Sequence, residues 1–315
     1  MNKELFKEVI NAEEFSKYKL FNGVWTKNEN INHEGYAQNF GLQWNKFKNT
    51  QFDSKNGTSN TRDRLFGCSG WKPEALKNKF VLEIGSGAGR FTEVLLDCGA
   101  YVVSNDMSDA VYANYKNNKN ERLLLLKENL YNLPLRPHSF EYVLCYGVVQ
   151  HTPNIKMTYN VCTNYANENG MCSFDHYKKQ FIPNPFYHPK YFWRPITKNL
   201  PPKILLKIIE SYIPFYLPFD SIIKKIPKIG YIIAGSIPIP CWNYINAKKI
   251  NQDKNNLIEW AILDTFDALG AKYDKPWNLR QLNKLAKNLP VKGFHVGLGG
   301  NGILLNTFGN NKVNR

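Results

Sequence analysis

The stretch FVLEIGSGAGRFTE, residues 80–93, decides the fold. It begins with a mostly apolar run, continues with Gly85, Gly87 and Gly89 at alternate positions, and ends in a helical pattern. This succession is typical of a buried parallel strand followed by a tight turn and a helix, which places a ligand beyond the carboxyl end of the strand. Glycine permits the sharp turn and lets a ligand approach the backbone closely.

The residues around this turn indicate which ligand it suits. A dinucleotide fingerprint requires a third small residue at position 90, where this chain has Arg90. Asp106 stands about twenty residues after the first glycine, where an acid can hold both ribose hydroxyls. Glu83 lies inside the first strand; its carboxylate can order the loop and reach a ligand amine, and it would repel a phosphate.

The chain around this turn has the alternating rhythm of a βαβ protein. Short apolar runs predict strands at 80–84, 101–105, 123–127, 140–146 and 170–176. Helices are predicted from Ser108 to about residue 116, over 154–166, and over 278–288 with Asn278 as the cap and Gln281 three residues later. The segment VKGFHVGLGGNGILLNTF, residues 291–308, predicts two strands joined by a glycine-rich turn.

Three segments together carry a family resemblance: VLEIGSGAGRFTE, VVSNDMSDAV and ENLYNLPLRPHSFEYVLCYGVVQHTPN. In this order they resemble the class I S-adenosylmethionine-dependent methyltransferases over about a hundred contiguous residues. The resemblance implies an enzyme that uses S-adenosyl-L-methionine as its cofactor. The alternative is that the glycines form a generic turn and Asp106 is an ordinary cap.

The resemblance also implies roles for individual residues. Gly85 and Gly87 would lie against the methionine part of the cofactor, Asp106 would bind its ribose, and Met107 would pack on the adenine. Asn129 would accept a hydrogen bond from the adenine amine, where the family more often has aspartate; the alternative is an ordinary loop residue. The residues expected to bind the cofactor are Glu83, Gly85, Gly87, Gly89, Asp106, Met107, Asn129, Leu130 and Tyr146.

The fold expected from these patterns is α/β, with a Rossmann-like, seven-stranded, mostly parallel sheet and an antiparallel C-terminal hairpin. Residues 1–78 are expected to form an N-terminal lid, and residues 79–177 the cofactor-binding core. Residues 178–277 would be an inserted, mainly helical cap. Residues 278–315 would complete the core with a helix and the hairpin.

His151 is the best candidate for a general base. It follows the fourth strand in CYGVVQHTPN, at the expected mouth of the cofactor pocket, and imidazole suits proton transfer near neutral pH. The same residue could instead cap the next helix. The Asn/Asp-Pro-Pro-Tyr/Phe motif typical of nucleic-acid amino methyltransferases is not found in this segment, which argues against methylation of a nucleic-acid base and leaves a ribose or protein target open.

Two flanking segments, FGLQWNKFKNTQFDS with RDRLF and later WAILDTFDALGAKYDKP, resemble bacterial methyltransferases of surface-polysaccharide, glycan and lipid biosynthesis. The acceptor expected from this is a small or lipid-linked molecule, such as a sugar, methylated on oxygen or nitrogen. The residues expected to bind it are Trp44, Arg62, His176, Asp264 and Asp267. Local caps, core contacts or a solvated acidic helix face are the alternatives for these residues.

Composition adds weaker constraints. The 315 residues carry a net charge of +15, which indicates either an anionic partner or a general excess of lysine along the chain. The alternatives to a small-molecule methyltransferase are an RNA or protein methyltransferase and a non-catalytic protein that binds the cofactor. Six scattered cysteines predict reduced thiols and no metal site. The N-terminus lacks the pattern of a signal peptide, so a cytoplasmic protein is expected.

Residues 203–242 are apolar but interrupted by proline, glycine and lysine, and no part of them is typical of a membrane span. A basic amphipathic face there could rest on the inner face of the membrane. A cap packed on the sheet, or the contact of a homodimer, would explain the same pattern.

Overall fold

The computed structural model describes residues 3–27, 37–179, 189–245 and 253–311. Within these ranges nine strands form one mixed sheet in the order β1-β2-β5-β4-β3-β6-β7-β9-β8. The strands are β1 (Lys19–Phe21), β2 (Val24–Thr26), β3 (Phe80–Ile84), β4 (Tyr101–Asn105), β5 (Leu123–Lys127), β6 (Phe140–Cys145), β7 (Ala166–Tyr177), β8 (Val291–Gly299) and β9 (Gly302–Asn310).

The centre of the sheet confirms the predicted fold class. Strands β5, β4, β3, β6 and β7 are parallel, β9 is antiparallel to β7, and β8 completes the C-terminal hairpin. Strand β7 begins four residues before the prediction, because residues 167–169, NEN, are polar and Ala166 alone makes no apolar run. Its register against β6 shifts between Phe140 and Tyr142, which accommodates this irregular start.

Two strands at the other edge were not predicted. Strands β1 and β2 form an antiparallel hairpin, and β2 runs parallel to β5. Asn22 and Gly23 occupy the turn with φ of 48° and 81°, the left-handed conformations that a two-residue hairpin turn needs. The Asn-Gly pair was therefore the signal available in the sequence.

Twelve α-helices lie in the described residues. They are α1 (Ala12–Phe15), α2 (Ala37–Lys46), α3 (Asp53–Asn56), α4 (Asn60–Ser69), α5 (Arg90–Asp97), α6 (Ala110–Asn117), α7 (Ile155–Tyr165), α8 (Pro189–Thr197), α9 (Pro202–Lys224), α10 (Gly230–Ser236), α11 (Lys254–Gly270) and α12 (Leu279–Ala286). Short 3₁₀ helices span Lys3–Phe6, Pro73–Leu76, Leu130–Asn132 and Val149–His151. Among all these described helices, none is both long and apolar enough to cross a bilayer.

Local capping explains several helix starts. The Asn154 side chain accepts a hydrogen bond from the Met157 backbone at 3.1 Å and starts α7 as predicted. Asn278 and Gln281 form the predicted reciprocal capping box of α12. The helix predicted from Ser108 is α6, which begins at Ala110; the Ser108 hydroxyl accepts a hydrogen bond from the Ala110 N–H at 3.2 Å.

Alternate residues of the central strands bury two separate cores. Leu82 and Ile84 belong to the cluster that contains α7, α12 and the N-terminal Phe6, whereas Val81 belongs to the cluster with α4 and α5. This is the alternation expected of a sheet covered on both faces. A space remains at the carboxyl ends of the parallel strands, between these two layers and the remaining helices.

The helices of the insertion have a core of their own. Helices α9 and α11 pack together around Ile209, Ile213, Leu263 and Phe266, and Phe47 from the segment after α2 joins them. Helix α2 contacts α6 of the sheet domain as well as α9 and α11. The N-terminal helices and the insertion therefore meet above the carboxyl end of the sheet.

Candidate active site

A cavity of about 830 Å³ lies at the carboxyl ends of β3, β4 and β6. Its walls come from the turn after β3, from α2, α3 and α4 of the N-terminal segment, and from α8 and α11 of the insertion. Of the predicted site residues, those that line it are Trp44, Gly85, Gly87, Asp106, Met107, Leu130, Tyr146, His151, Asp264 and Asp267. Glu83, Gly89, Asn129, Arg62 and His176 do not line it.

The glycine turn forms the floor of the cavity. Gly85 and Gly87 have φ of 70° and 55°, a conformation that costs any other L-residue about 1–2 kcal/mol. A Cβ on Gly85 would lie 2.2 Å from Val148 Cγ2, and one on Gly87 would lie 3.1 Å from Trp44 Nε1. The turn thus packs against Val148 and lies directly beneath the α2 side chain Trp44, so neither glycine position has room for a side chain.

Gly89 has a different task from its neighbours. It precedes α5 with φ of 93°, and a Cβ there would lie 2.2 Å from Asn114 Oδ1. The Asn118 side chain donates a hydrogen bond to the Gly89 carbonyl at 2.8 Å. Gly89 therefore lets α5 and α6 pack closely and does not face the cavity.

Asp106 connects the turn to the end of β4. Its Oδ2 accepts a hydrogen bond from the Gly87 N–H at 2.9 Å, and its Oδ1 accepts from the backbone and hydroxyl of Ser108 at 2.8 and 2.7 Å. Burial raises the pKa of this carboxyl, and the hydrogen bonds oppose that rise. The carboxylate lines the cavity with lone pairs still available to ligand hydroxyls.

Glu83 lies in β3 beneath the turn and is buried. Its Oε2 accepts hydrogen bonds from the hydroxyls of Thr92 on α5 and Ser104 on β4. Burial raises the pKa of Glu83 to about 7, against which these two hydrogen bonds act. The observed contacts join β3 and β4 to α5.

The segment after β5 forms the part of the cavity that was predicted to bind the adenine of the cofactor. Leu130 lines the cavity, but the Asn129 side chain accepts a hydrogen bond from the Tyr131 N–H at 3.2 Å and caps the short 3₁₀ helix. Glu128, which was not predicted, lines the cavity beside Leu130. Its Oε2 accepts a hydrogen bond from Tyr18 of the N-terminal segment at 2.7 Å.

An ion pair between Arg64 on α4 and Asp175 on β7 closes another side of the cavity. Asp175 is fully buried and also accepts a hydrogen bond from the Gly147 N–H. The Arg64 guanidinium lies 5.9 Å from the centre of the Tyr146 ring, and the Tyr146 hydroxyl lies 2.6 Å from Ser173 Oγ. The predicted Arg62 instead lies on the exposed side of α4, over the ring of Phe66.

His151 lies in the cavity wall between two aromatic rings, Phe40 and Tyr177, each 5.3 Å away. Its Nδ1 lies 2.8 Å from the carbonyl oxygen of Tyr273, and a carbonyl can only accept, so Nδ1 carries the proton. In the neutral ring Nε2 is then the nitrogen with a free lone pair. The geometry is that of an oriented imidazole that can accept a proton.

His176 occupies the core, on the other face of β7. It is fully buried; its Nδ1 lies 3.1 Å from the Tyr159 hydroxyl and its Nε2 lies 2.8 Å from the Lys275 carbonyl. Burial lowers its pKa, which favours the neutral ring. The neighbouring Tyr177, which was not predicted, faces the cavity instead.

The insertion contributes two carboxylates to the cavity. Asp264 accepts a hydrogen bond from the Tyr244 hydroxyl, and Asp267 accepts one from the Tyr177 hydroxyl at 3.2 Å. Burial raises the pKa of Asp264 to about 6. Trp260 lies beside them, with its ring centre 5.5 Å from that of Tyr244. Acids and aromatic rings therefore share this wall.

The opposite wall carries basic groups that were not among the predicted site residues, together with the amides of Gln43 and Gln51, which the sequence had offered as part of a lid. Arg90 lines the cavity at the start of α5, and burial lowers its pKa to about 10, so it remains charged at neutral pH. Arg64 Nε, Gln43 Oε1, Gln51 Oε1 and Ser86 Oγ are buried without a hydrogen-bond partner among the described residues. All four side chains line the cavity, and buried polar groups left this way indicate a polar ligand.

These groups suit a sulfonium nucleoside with an amino acid end. Asp106 can accept the hydroxyls of a ribose, the glycine turn lines the cavity with backbone, and the cationic Arg64 and Arg90 match a carboxylate. In the described ranges no cluster of three or more histidine, cysteine or acidic residues is arranged to hold a metal ion.

Comparisons with known proteins agree with this geometry. Residues 82–174 match the family model described as a methyltransferase domain. A ubiquinone biosynthesis O-methyltransferase of Coxiella burnetii is 26% identical over 109 residues, which is 34% of this chain and 47% of that protein. The chain thus spans about half the length of the curated relatives it matches.

Solved structures are similar over more of the chain. A protein of Methanococcus maripaludis assigned as an S-adenosyl-L-methionine-dependent methyltransferase has a TM-score of 0.46 at 12% identity, covering 90% of this chain and 98% of that one. A SAM-dependent methyltransferase of Aquifex aeolicus has a TM-score of 0.37 at 13% identity, covering 79% and 95%. The family match makes residues 82–174, at the centre of the sheet, similar to a methyltransferase domain.

Proposed function

We propose that the protein is a methyltransferase that transfers a methyl group from S-adenosylmethionine to an oxygen or nitrogen of a small or lipid-linked acceptor, such as a sugar of a surface glycan. The cofactor half of the proposal rests on the methyltransferase domain and the glycine turn. The acceptor half rests on the wall opposite that turn. The name of the curated relative, an O-methyltransferase, supports oxygen as the acceptor atom.

The observation that carries the acceptor class is the pair of carboxylates on α11. Asp264 and Asp267 line the same cavity as the glycine turn, each with a tyrosine hydroxyl as partner. Ionised carboxylates are strong acceptors for hydroxyl groups, and the flat ring of Trp260 offers an apolar surface beside them. A polyhydroxylated molecule uses both kinds of group.

The same wall argues against a nucleic-acid substrate. Phosphate oxygens near Asp264 and Asp267 would be repelled, and the cavity also contains the carboxylates of Asp106 and Glu128. An RNA or protein methyltransferase would use the net charge of +15 as an outer docking surface. A non-catalytic cofactor binder would need no oriented base in the cavity, whereas His151 is held in place by the Tyr273 carbonyl.

When bound, the cofactor supplies an electrophilic methyl group on a positively charged sulfur. The protein has to orient the acceptor, exclude water and receive a proton if the acceptor is a hydroxyl. His151 Nε2 would take that proton, because Nδ1 is already engaged with Tyr273. Asp264 and Asp267 would hold neighbouring hydroxyls and thereby fix which one faces the base.

The helices that cover the cavity would exclude water from it. Trp44 on α2 lies over the glycine turn, and Asn39 of the same helix donates a hydrogen bond to the Gly270 carbonyl at the end of α11. Lys46 and Glu210 form an ion pair between α2 and α9. These contacts hold the N-terminal helices and the insertion together as one cover.

The test compares methylated glycans and lipids from cells with and without the gene by mass spectrometry. A methyl group should be missing without the gene and restored by the wild-type protein. The double variant Asp264→Asn, Asp267→Asn should fail to restore it although it still binds S-adenosylmethionine, and Asp97→Asn on the exposed end of α5 should restore it fully. A methyl group lost from RNA or protein instead, or no change in any pool, would contradict the proposal.

A further inference from the structure

Helix α9 has a second apolar face besides the one it buries. Its core face contains Leu206, Ile209, Ile213 and Leu217. On the opposite side the solvent-exposed side chains include Phe215 and Ile222, which are 82% and 67% exposed. At about 100° per residue, the exposed apolar residues lie within an arc of about 60° and extend for about 27 Å along the helix. They are Ile204, Ile208, Phe215, Phe219 and Ile222.

The neighbouring helices continue this apolar exposure. Helix α10 packs on α9, and Trp193 of α8 donates a hydrogen bond to the carbonyl of Pro238 just after α10, at 2.6 Å. The exposed large apolar side chains of α8, α10 and their flanks are Tyr191, Phe192, Trp193, Ile196, Ile226, Ile229, Tyr231, Ile232, Ile233 and Ile239. Isolated exposed apolar residues need no explanation, but a concentration of this size on three adjacent helices indicates a contact surface.

Lysines accompany these residues. Residues 189–245 contain eight lysines and arginines against two acids. Lys203 and Lys207 directly precede Ile204 and Ile208 and border the apolar arc of α9. The exposed lysines of this region are Lys198, Lys203, Lys207, Lys225 and Lys228.

We propose that the exposed apolar face of α8, α9 and α10 docks onto the surface of an anionic lipid bilayer. Aliphatic and aromatic side chains would enter the boundary between headgroups and acyl chains, and the lysines beside them would meet lipid phosphates. Tryptophan and tyrosine, present on α8 and α10, favour this boundary. An anionic bilayer thus offers a partner to both the apolar side chains and the lysines of this surface.

A second copy of the chain suits this face less well. A two-fold contact would place the lysines of one copy against those of the other, and close like charges oppose association. Interface cores are also depleted in lysine. Charge complementarity therefore selects the bilayer as the occupant.

The exposed apolar face of α8, α9 and α10 also reaches the cavity. Tyr191, which is exposed on α8, lines the cavity together with Lys190, and so does Trp242 in the segment after α10. Lys190 is fixed there by an ion pair of 2.9 Å with Asp274. A bilayer bound to this face would lie beside the cavity wall and could present a lipid-linked acceptor, a consequence that rests on the proposed function.

The experiment measures sedimentation of the full chain with vesicles of phosphatidylcholine alone and with about one-third phosphatidylglycerol. Wild-type protein should bind the anionic vesicles, and high salt should weaken binding. The triple variant Phe215→Ser, Phe219→Ser, Ile222→Ser should bind at least about tenfold more weakly. Lys203→Glu, Lys207→Glu should be similarly impaired, whereas Lys284→Glu, Lys287→Glu on the exposed side of α12 should bind like wild type.

Denaturant unfolding of each variant shows that its fold is intact, and vesicle binding is measured without cofactor or acceptor, which keeps this test separate from the proposed function. Equal vesicle binding by the triple variant and wild type, or no binding by wild type at low salt, overturns the proposal. A wild-type dimer that becomes monomeric in the triple variant, with no vesicle binding, would assign the face to a second copy and overturn it as well.

Discussion

Asp106, directly after β4, accepts a hydrogen bond of 2.9 Å from the backbone N–H of Gly87, which lies 19 residues earlier in the chain. The acid that we propose binds the cofactor ribose therefore also holds the glycine turn. Its other oxygen accepts both hydrogen bonds from Ser108, before α6. In the proposed site, cofactor binding and the shape of the turn would consequently depend on one carboxylate.

Replacement of this carboxylate should weaken cofactor binding. Asp106→Ala removes the acceptor for the ribose hydroxyls and leaves the Gly87 N–H without its partner, so we expect affinity for S-adenosylmethionine to fall by about ten- to a hundredfold. Isothermal titration of the purified proteins measures this. Asp97→Ala, on the exposed end of α5, should bind like wild type. Equal binding by Asp106→Ala and wild type would disprove the assigned ribose site.

The turn itself can be tested with a pair of glycine substitutions. Gly87→Ala has to keep a φ of 55° and places its Cβ 3.1 Å from Trp44 Nε1, so we expect a loss of about 1–2 kcal/mol in stability and weaker cofactor binding. Gly67→Ala, inside α4 with open space around it, should be neutral or stabilise the protein by up to about 1 kcal/mol. Chemical denaturation and cofactor titration check both, and a harmless Gly87→Ala would show that the turn is not constrained as described.

The role of His151 is tested by turnover. If Nε2 accepts the proton of a hydroxyl acceptor, His151→Ala should lower kcat by about a hundredfold or more while affinity for S-adenosylmethionine changes little. The exposed His295→Ala on β8 is the matched control. Unchanged kcat in His151→Ala would remove the imidazole from the mechanism and indicate an acceptor that needs no base.

Glu83 predicts a pH dependence of stability. Its pKa of about 7 in the folded protein lies above the ordinary value of 4.5, so the folded state holds the proton more tightly than the unfolded state. The resulting contribution is complete below about pH 4.5 and is lost as the pH rises through about 7. Between pH 5 and 8, wild type should lose on the order of 2–3 kcal/mol more than Glu83→Gln.

Denaturant unfolding at several pH values measures this difference. Glu74→Gln, an exposed acid in the 3₁₀ helix before β3, should follow the wild-type curve. Parallel curves for Glu83→Gln and wild type would mean that burial does not perturb this carboxyl.

The parts of the fold that the sequence predicted are those with local signals. The strands 80–84, 101–105 and 123–127 match the structure because apolar runs bounded by turns allow few other arrangements. Caps such as Asn278 mark helix starts by their own hydrogen bonds. Asn22 and Gly23 were an equally local signal for the β1–β2 hairpin, and the prediction overlooked them.

The candidate site was harder to predict because which face a residue occupies is decided by packing. Arg62 and Arg64 are two residues apart on α4, so they point about 200° apart around the helix, and Arg64 is the one that faces the cavity. His176 and Tyr177 are adjacent in β7 and so point to opposite faces, with Tyr177 on the cavity side. A shift of one or two positions exchanges a site residue for a core or surface one.

The insertion shows a further limit of prediction from the sequence. Asp264 and Asp267 could be proposed from their helical spacing, but their partners Tyr244 and Tyr177 come from distant parts of the chain. No spacing rule connects residues 20 and 90 positions apart across a helical insertion. These contacts follow from how α11 lies against β7 and against the segment after α10.

Strand β5 contains four consecutive leucines, and the β1–β2 hairpin pairs with its carboxyl end through Trp25 and Thr26. An uncovered apolar strand edge is a template for aggregation. A ribosome completes the hairpin about a hundred residues before it reaches Leu123, since translation proceeds from the N-terminus. The protective strand is thus already present in the nascent chain when the vulnerable one emerges.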